Sequence, residues 1–394
     1  MILLEILFLT YFTYVVLYTL IFSLAGLFNP SYAPKGNTSK ARIVILIPAY
    51  KEDNVIALTA KKALKQHYPD THYEVVVIAD SLSRETLDHL SMLSVKVFEV
   101  NFEKPTKVKA LNYALEYLDH FDIAVILDAD NEMTPSFLDR INQVFQKGAK
   151  SIQGQRSAKN KDSNLAVLDG ISEIFNNHIY RAGSTGLGLS SSLSGSGMAF
   201  DFQILKNTLK EMDSVGGFDR ELEIRLLQQG IKSVYIKNAV VLDEKTSGRQ
   251  NFANQRRRWI ASQYFYLKKY FGVGMKGLLR GNISLFNSAI LRNLQMPRVI
   301  NLGLLGMITL VVYWLQLWLS YDYRIWWILS GLMGIALVIA IPFKLYNLRF
   351  LKALVSLPGA FLVMLSLMFR LKGANKEFIH TAHGNEKTSE VNKS

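Results

Sequence analysis

The sequence predicts an α/β protein with a mostly parallel sheet flanked by helices and with transmembrane helices at both ends of the chain. Three observations predict it. Between residues 42 and 130, short β-branched apolar runs alternate with helix-length segments, the pattern of parallel strands joined by crossover helices. An apolar run at 6–28 opens the chain and three more lie near its end, at 300–320, 326–343 and 353–369; each is close to the roughly twenty residues an α-helix needs to cross a bilayer. Carboxylates punctuate the strand ends, at Asp80 and in Asp128-Ala129-Asp130.

Taken in order, residues 1–28 read as a retained membrane anchor. The run has no basic residue ahead of it, is long for a signal peptide and is full of Tyr and Phe. Lys35, Lys40 and Arg42 follow it, which assigns residues 40–270 to the cytoplasmic side. There, residues 42–47 form a strand ended by Pro48, and Asn54 caps a helix that reaches Gln66. Residues 74–79 are the second strand, 83–93 a helix, 95–100 the third strand, 107–118 a helix and 123–127 the fourth strand. Ligands of such a sheet bind outside the carboxyl ends of its strands, so the stretch from Pro48 to Asp53, Asp80, and Asp128 with Asp130 are expected to line one crevice.

Past this domain, residues 271–299 read as an interfacial amphipathic segment, 300–371 as transmembrane helices and 372–394 as a polar tail. Lys344, Arg349 and Lys352 put the loop between the last two runs on the cytoplasmic side. Three crossings would then leave the basic tail outside. A hairpin at Pro358-Gly359, or entry of residues 278–294 into the membrane, would restore the charge bias, and the sequence leaves both open. His380 and His383 in the tail read as solvated side chains rather than metal ligands.

Composition removes several function classes. The net charge of +13 comes from 45 Lys and Arg against 32 Asp and Glu, but the basic residues gather at membrane edges and within 249–280. That distribution fits anionic lipid and a diphosphate rather than nucleic acid. The chain has no cysteine, so disulfide and thiolate chemistry are out. After the first strand comes Pro48-Ala49-Tyr50-Lys51-Glu52 instead of a Gly-rich turn, and no Gly-Lys-Ser/Thr follows a strand, which argues against dinucleotide-binding and P-loop folds.

The motifs that remain run in a fixed order: Ile47-Pro48-Ala49-Tyr50-Lys51-Glu52, Asp80, Lys107-Val108-Lys109-Ala110-Leu111-Asn112, Asp128-Ala129-Asp130, Gly195-Ser196-Gly197, Phe218-Asp219-Arg220-Glu221-Leu222 and Gln255-x-x-Arg258-Trp259. Each is weak alone. As an ordered set between apolar runs, over most of residues 40–270, they resemble the membrane-embedded family 2 glycosyltransferases, the group of the cellulose, hyaluronan, chitin and poly-N-acetylglucosamine synthases.

That resemblance implies a GT-A fold and a UDP-sugar donor. Tyr50, Glu52 and Asp80 would contact the nucleoside, Lys107 the diphosphate, and Asp128 the ribose or the metal. Asp130, with Asp128, would hold Mg2+ or Mn2+, hard cations that take carboxylate and phosphate oxygens. Asp219 stands where the family's Thr-Glu-Asp motif puts its catalytic base, with Gly217 and Phe218 in place of Thr and Glu; a phenylalanine beside a carboxylate desolvates it and raises its pKa. The plainer reading of Asp219 is a helix N-cap, a role compatible with that of base, and Glu221 and Glu223 stand behind it as alternative bases. Gln255, Arg258 and Trp259 would serve the diphosphate and the acceptor, and Gly195, Ser196 and Gly197 an acceptor loop.

The expected function is an inverting glycosyltransferase of the cell inner membrane, multi-pass, whose cytoplasmic domain moves a sugar from a UDP-sugar to a growing polysaccharide. Two alternatives stand beside it. One is a single-sugar transferase acting on a lipid or lipid-linked acceptor, and the other a non-catalytic membrane protein that binds nucleotide or polymer.

Overall fold

The computed structural model describes residues 2–30, 39–160, 163–214, 216–245, 249–316 and 321–370, and the four expected strands are present. They are β1 (Ile43–Tyr50), β2 (Tyr73–Asp80), β3 (Lys96–Val100) and β4 (Ile123–Ile126). With β5 (Glu132–Met133), β6 (Ser151–Ala158), β7 (Met198–Asp201) and β8 (Ser233–Asp243) they make one sheet in the order β3-β2-β1-β4-β7-β6-β8-β5. The first four are parallel, as are β6 and β8. β7 runs antiparallel to β4 and β6, and β5 antiparallel to β8.

Both faces of the sheet are covered, which is why its central strands read as unbroken apolar runs. Ile43, Ile45 and Ile47 pack with the helices Ile56–Ala63 and Phe137–Phe145 on one face. Val44 and Leu46 pack on the other, against the helices Lys107–Glu116, Phe202–Lys210 and Phe218–Gln228. Each such aliphatic side chain contributes about 1.5–3 kcal/mol by leaving water.

Two local expectations are corrected. Pro48 does not end β1; it pairs with Ile78, and the strand continues to Tyr50. Leu46 accepts from Leu127 N, so Leu46, and two residues on Pro48, turn their backbone toward β4; that strand pairs only as far as Leu46, so the missing N–H of Pro48 breaks no ladder bond. Asn54 does not cap the next helix, which starts at Ile56 with Val55 at its N-cap and no side-chain cap.

The sheet lies in one compact unit, drawn from residues 31–160 and 191–245; the helices of residues 1–30, 161–190 and 246–374 form another. In the helical unit, Ile2–Gly26 is 25 residues long, about 37 Å at 1.5 Å per residue, and is long and apolar enough to cross a membrane. It packs through Phe12, Val15 and Val16 against Leu305 and Val312 of Arg298–Trp314 and Trp326, Leu329 and Met333 of Arg324–Ala340. Gly183 and Gly186 let the chain approach it closely, since a Cβ at either would collide with the carbonyls of Phe22 and Ala25.

The later apolar runs are less regular than the sequence suggested. Arg324–Ala340 has 17 residues, Ile283–Leu294 and Arg298–Trp314 meet at a 58° bend, and Leu348–Leu354 and Leu357–Met368 at 42°; each bent pair passes as a span only when counted together. The second bend precedes Pro358, which sits in the first turn of its helix, where a missing N–H is harmless. Arg249–Leu279 is one uninterrupted helix of 31 residues that runs through position 270. Lys35, His380, His383 and the tail 372–394 lie outside the described residues.

Candidate active site

At the carboxyl ends of β1 and β2 the backbone is bent sharply. Lys51 and Ser81, the residues that follow these strands, have φ of 53° and 58°, left-handed conformations uncommon for side chains other than glycine and often stored at ligand sites. Lys51 N donates to Asp80 O at 3.1 Å, locking the two turns together. The Tyr50 ring lies under the Lys51 ammonium, 5.2 Å from its centroid, and Tyr50 and Glu52 are half-buried. Asp80 is buried; desolvation raises its carboxyl pKa, against hydrogen bonds from the Ser81 hydroxyl and Phe102 N–H and the nearby charge of Lys51. Asp53, which sequence reasoning did not single out, ties this loop to the next helix by accepting from Ser83 N at 2.8 Å and Thr86 Oγ1 at 2.7 Å. Burial opposes its ionisation, but these bonds prevail and its pKa is lowered.

Lys107 is the centre of the next group. Thr106 caps its helix, accepting from Lys109 N at 3.2 Å, and the first helical residue sends its ammonium back over the strand ends. There Lys107 pairs with the Asp128 carboxylate, donates to Gly195 O at 2.8 Å, and lies 5.1 Å from the centroid of Phe218. Asp128 follows β4, and Ala129 and Asp130 form the turn beyond it; Asp130 is nearly buried.

The loop that carries Gly195, Ser196 and Gly197 is fixed from several sides. Gln153 accepts from Ser194 N at 3.0 Å and donates to Ser196 O at 3.1 Å. Arg156 donates to Ser194 O at 3.0 Å, and Ser196 Oγ accepts from Asp128 N at 2.9 Å. Gly195 and Gly197 have φ of 81° and 62°, so their lack of a side chain is required by the turn; at Gly197 a Cβ would also lie 2.9 Å from Val241.

Asp219 sits in the first turn of Phe218–Gln228, a helix whose N-cap is Gly217 in the left-handed region, φ 65°. It is therefore not the helix cap. Desolvation raises its carboxyl pKa, assisted by the charge of Glu223 and resisted by Arg220 and Lys107. The other acids of this helix are committed elsewhere: Glu221 accepts from Ser214 Oγ at 2.8 Å and Arg225 Nε at 3.0 Å, and Glu223 from Leu193 N at 3.2 Å, both carboxylates fully buried.

Gln255, Arg258 and Trp259 belong to the helical unit, on Arg249–Leu279. Arg256 stacks on Trp259 at 4.4 Å and on Phe252 at 4.8 Å, and pairs with Asp169. One face of the Trp259 ring is thus already in contact with a guanidinium.

The sheet unit brings Lys107, Asp128, Asp130, Gly195 to Gly197 and Asp219 to one end of the sheet, with Tyr50, Glu52 and Asp80 on the neighbouring strand ends. Among the described residues no three Asp, Glu, His or Cys side chains close on one point, so Asp128 and Asp130 fit a cation only as part of a site completed by ligand oxygens. Sequence reasoning missed Gln153, Arg156 and Asp243. Asp243 closes β8 much as Asp128 follows β4, and the charged run Asp243-Glu244-Lys245 after an apolar strand is the available signal.

Comparison with known proteins accords with this geometry. The model of a family described as "Glycosyltransferase like family 2" matches residues 41–262. A probable glucomannan 4-beta-mannosyltransferase 14 from Arabidopsis thaliana is 24% identical over 278 residues, 66% of this chain and 51% of that protein. A beta-monoglucosyldiacylglycerol synthase from Trichormus variabilis is 24% identical over 250 residues, 59% of this chain and 51% of its own. The chain spans about half the length of these curated relatives. Among solved structures, the mannosyltransferase PcManGT from Pyrobaculum calidifontis, in complex with GDP-Man and Mn2+, superposes with a TM-score of 0.53 and 17% identity over 90% of this chain and 97% of that one, a likeness of fold.

Proposed function

The chain belongs to glycosyltransferase family 2, and from that premise we propose that it is an inverting hexosyltransferase taking its sugar from a nucleoside-diphosphate donor at the cytoplasmic membrane face. The observation that carries this reading is the Lys107 ammonium, held between the Asp128 carboxylate and Gly195 O beside Asp219. An ammonium has three protons, so one beyond these two contacts can meet a diphosphate oxygen.

Each neighbouring group then has a role. Tyr50, Glu52 and Asp80 hold the nucleoside, and Asp128 and Asp130 are the residues that would hold Mg2+ or Mn2+ together with diphosphate oxygens. Such a cation neutralises charge on the departing nucleoside diphosphate. Asp219 takes the proton of the acceptor hydroxyl; desolvation makes it a stronger base than an ordinary aspartate. Glu221 and Glu223 keep structural partners and do not compete for that role. Gln255, Arg258 and Trp259 serve diphosphate and acceptor, and Gly195, Ser196 and Gly197 let a sugar approach the backbone.

The family resemblance favours UDP, while the GDP-Man bound to PcManGT puts GDP-linked hexoses in the same assay. The acceptor is a growing glycan, as the name of the Arabidopsis relative suggests. A second reading, transfer of one sugar to a lipid, is favoured by the diacylglycerol-modifying relative together with the helix Ile2–Gly26. Radiolabelled UDP- and GDP-hexoses incubated with membranes containing the protein decide between them. Polymer that resists organic extraction supports the first, a single organic-soluble product the second, and no donor turnover at all rejects both.

A further inference from the structure

Asn131 directly follows Asp130 and is fully buried. With its amide nitrogen turned to the neighbouring acids, it donates to Asp130 Oδ1 and to Asp243 Oδ1, each at 3.1 Å, while its oxygen accepts from Ser196 Oγ at 2.7 Å. The reverse orientation would set an amide oxygen against two carboxylates. Asp243 is itself fixed through its other oxygen, Oδ2, by Arg156 Nη2 at 2.7 Å and Lys245 Nζ at 2.6 Å, and all three side chains are largely buried.

We infer that Asn131 and Asp243 are positioning residues that aim the Asp130 carboxylate toward a divalent cation and the donor diphosphate. Asp130 lies in a two-residue turn just beyond β4, so its carboxylate is oriented by the side chains packed around it and not by a regular helix or strand. Asn131 gives one carboxylate oxygen a fixed donor, and Asp243, clamped by two cations, fixes Asn131. Ser196 extends the same chain of bonds to Asp128 N, so both aspartates and the 195–197 loop are set by one network. Such hydrogen bonds behind a ligating carboxylate orient it and are worth about 10–100-fold in metal affinity. Arg156 reports on the same network from the other side through Ser194 O.

This inference rests on the proposed function, and its test separates the two. Mn2+ is titrated into the purified full-length protein with GDP or UDP present, and free Mn2+ is followed by its paramagnetic resonance signal. Asn131→Leu, close in volume, is expected to weaken Mn2+ binding by about 10–100-fold, with Asp243→Asn weaker in the same direction. Metal-free nucleotide binding should stay at the parent level in both. A network that only braces the fold would change thermal stability and leave the Mn2+ constant of the folded protein alone. Should Asn131→Leu fail to fold, Asn131→Ser carries the same comparison. Parental Mn2+ affinity in the folded variants overturns the inference by itself, whereas a parent that takes up no Mn2+ with either nucleotide overturns the metal-dependent reading and this inference together.

Discussion

The sheet unit and the helical unit spend buried polarity in opposite ways. In the sheet unit Lys107, Asp128, Asp130 and Asp219 gather on loops and first helical turns at one end of the strands, where backbones at Lys51, Ser81, Gly195 and Gly197 are held at positive φ. In the helical unit polar groups join one helix to another, Tyr18 to Asn287 and Tyr11 to Asn301, both at 2.9 Å, or brace a single run of helix, as Arg181 does with Glu173 at 2.7 Å. Charges at the strand ends can turn to a ligand, whereas amides and phenols between apolar helices fix which helix face meets which. The difference supports a catalytic role for these strand-end groups of the first unit and a packing role for these bonds of the second.

Substitutions can break that contrast, and the largest effect is expected at Asp219. Asp219→Asn should lower kcat by about 10²–10⁴-fold with donor binding retained. The sign for stability is opposite. Burial raises the Asp219 pKa on folding, so its contribution is greatest below the unfolded pKa and is lost as pH rises through the folded value. The thermal midpoint of Asp219→Asn at neutral pH should therefore equal or exceed the parent's. In the parent, kcat/KM should rise with pH along a limb lying above the ordinary aspartate range; a limb at that ordinary value would remove Asp219 as the base.

The packing contacts of the helical unit, away from Gln255, Arg258 and Trp259, should respond in stability instead of turnover. Glu173→Ala leaves Arg181 buried beside a lost carboxylate and should cost about 3–5 kcal/mol, read by denaturant unfolding, with the donor KM of the folded fraction unchanged. Lys107→Met comes next: losing a charge-assisted contact worth about 1.5–3 kcal/mol should raise the donor KM by roughly ten- to a hundredfold. An unchanged KM there would take the diphosphate away from Lys107.

The smallest effect belongs to Asp53. Asp53→Ala should destabilise by about 0.5–1.5 kcal/mol in urea unfolding at neutral pH. Because hydrogen bonds lower its folded pKa, this stabilisation is present above the unfolded value and disappears as pH falls through the folded one. A deficit that persists in strong acid would contradict that account.

The contrast also marks what could be read from the chain alone. Strands β1 to β4 are legible because both faces of the sheet are covered, Asp128 and Asp130 because they follow a strand end, and Lys107 through the motif it shares with the resembling family. What escaped depends on partners distant in sequence. Pro48 sits inside β1 because β4 is short, a fact that lives some eighty residues away. Asn131 meets Asp243 only because β8 pairs with β6 and β5 in the folded sheet. In the helical unit, hydropathy marks the apolar runs but not the 58° bend; Pro358-Gly359 points to a break in the last run, which the structure places just before Pro358 at 42°, and nothing in the sequence shows that Gly183 and Gly186 are packing glycines. Periodicity sees faces; it does not see which faces meet.

Release of nucleoside diphosphate from a panel of UDP- and GDP-hexoses, in the presence of Mn2+ and a glycan or lipid acceptor, tests the central claim most directly. The account predicts release by the parent from at least one donor, and its loss in Asp219→Asn and Asp130→Asn proteins that still unfold cooperatively. Undiminished release by folded Asp219→Asn, or none by the parent from any donor in the panel, would contradict it.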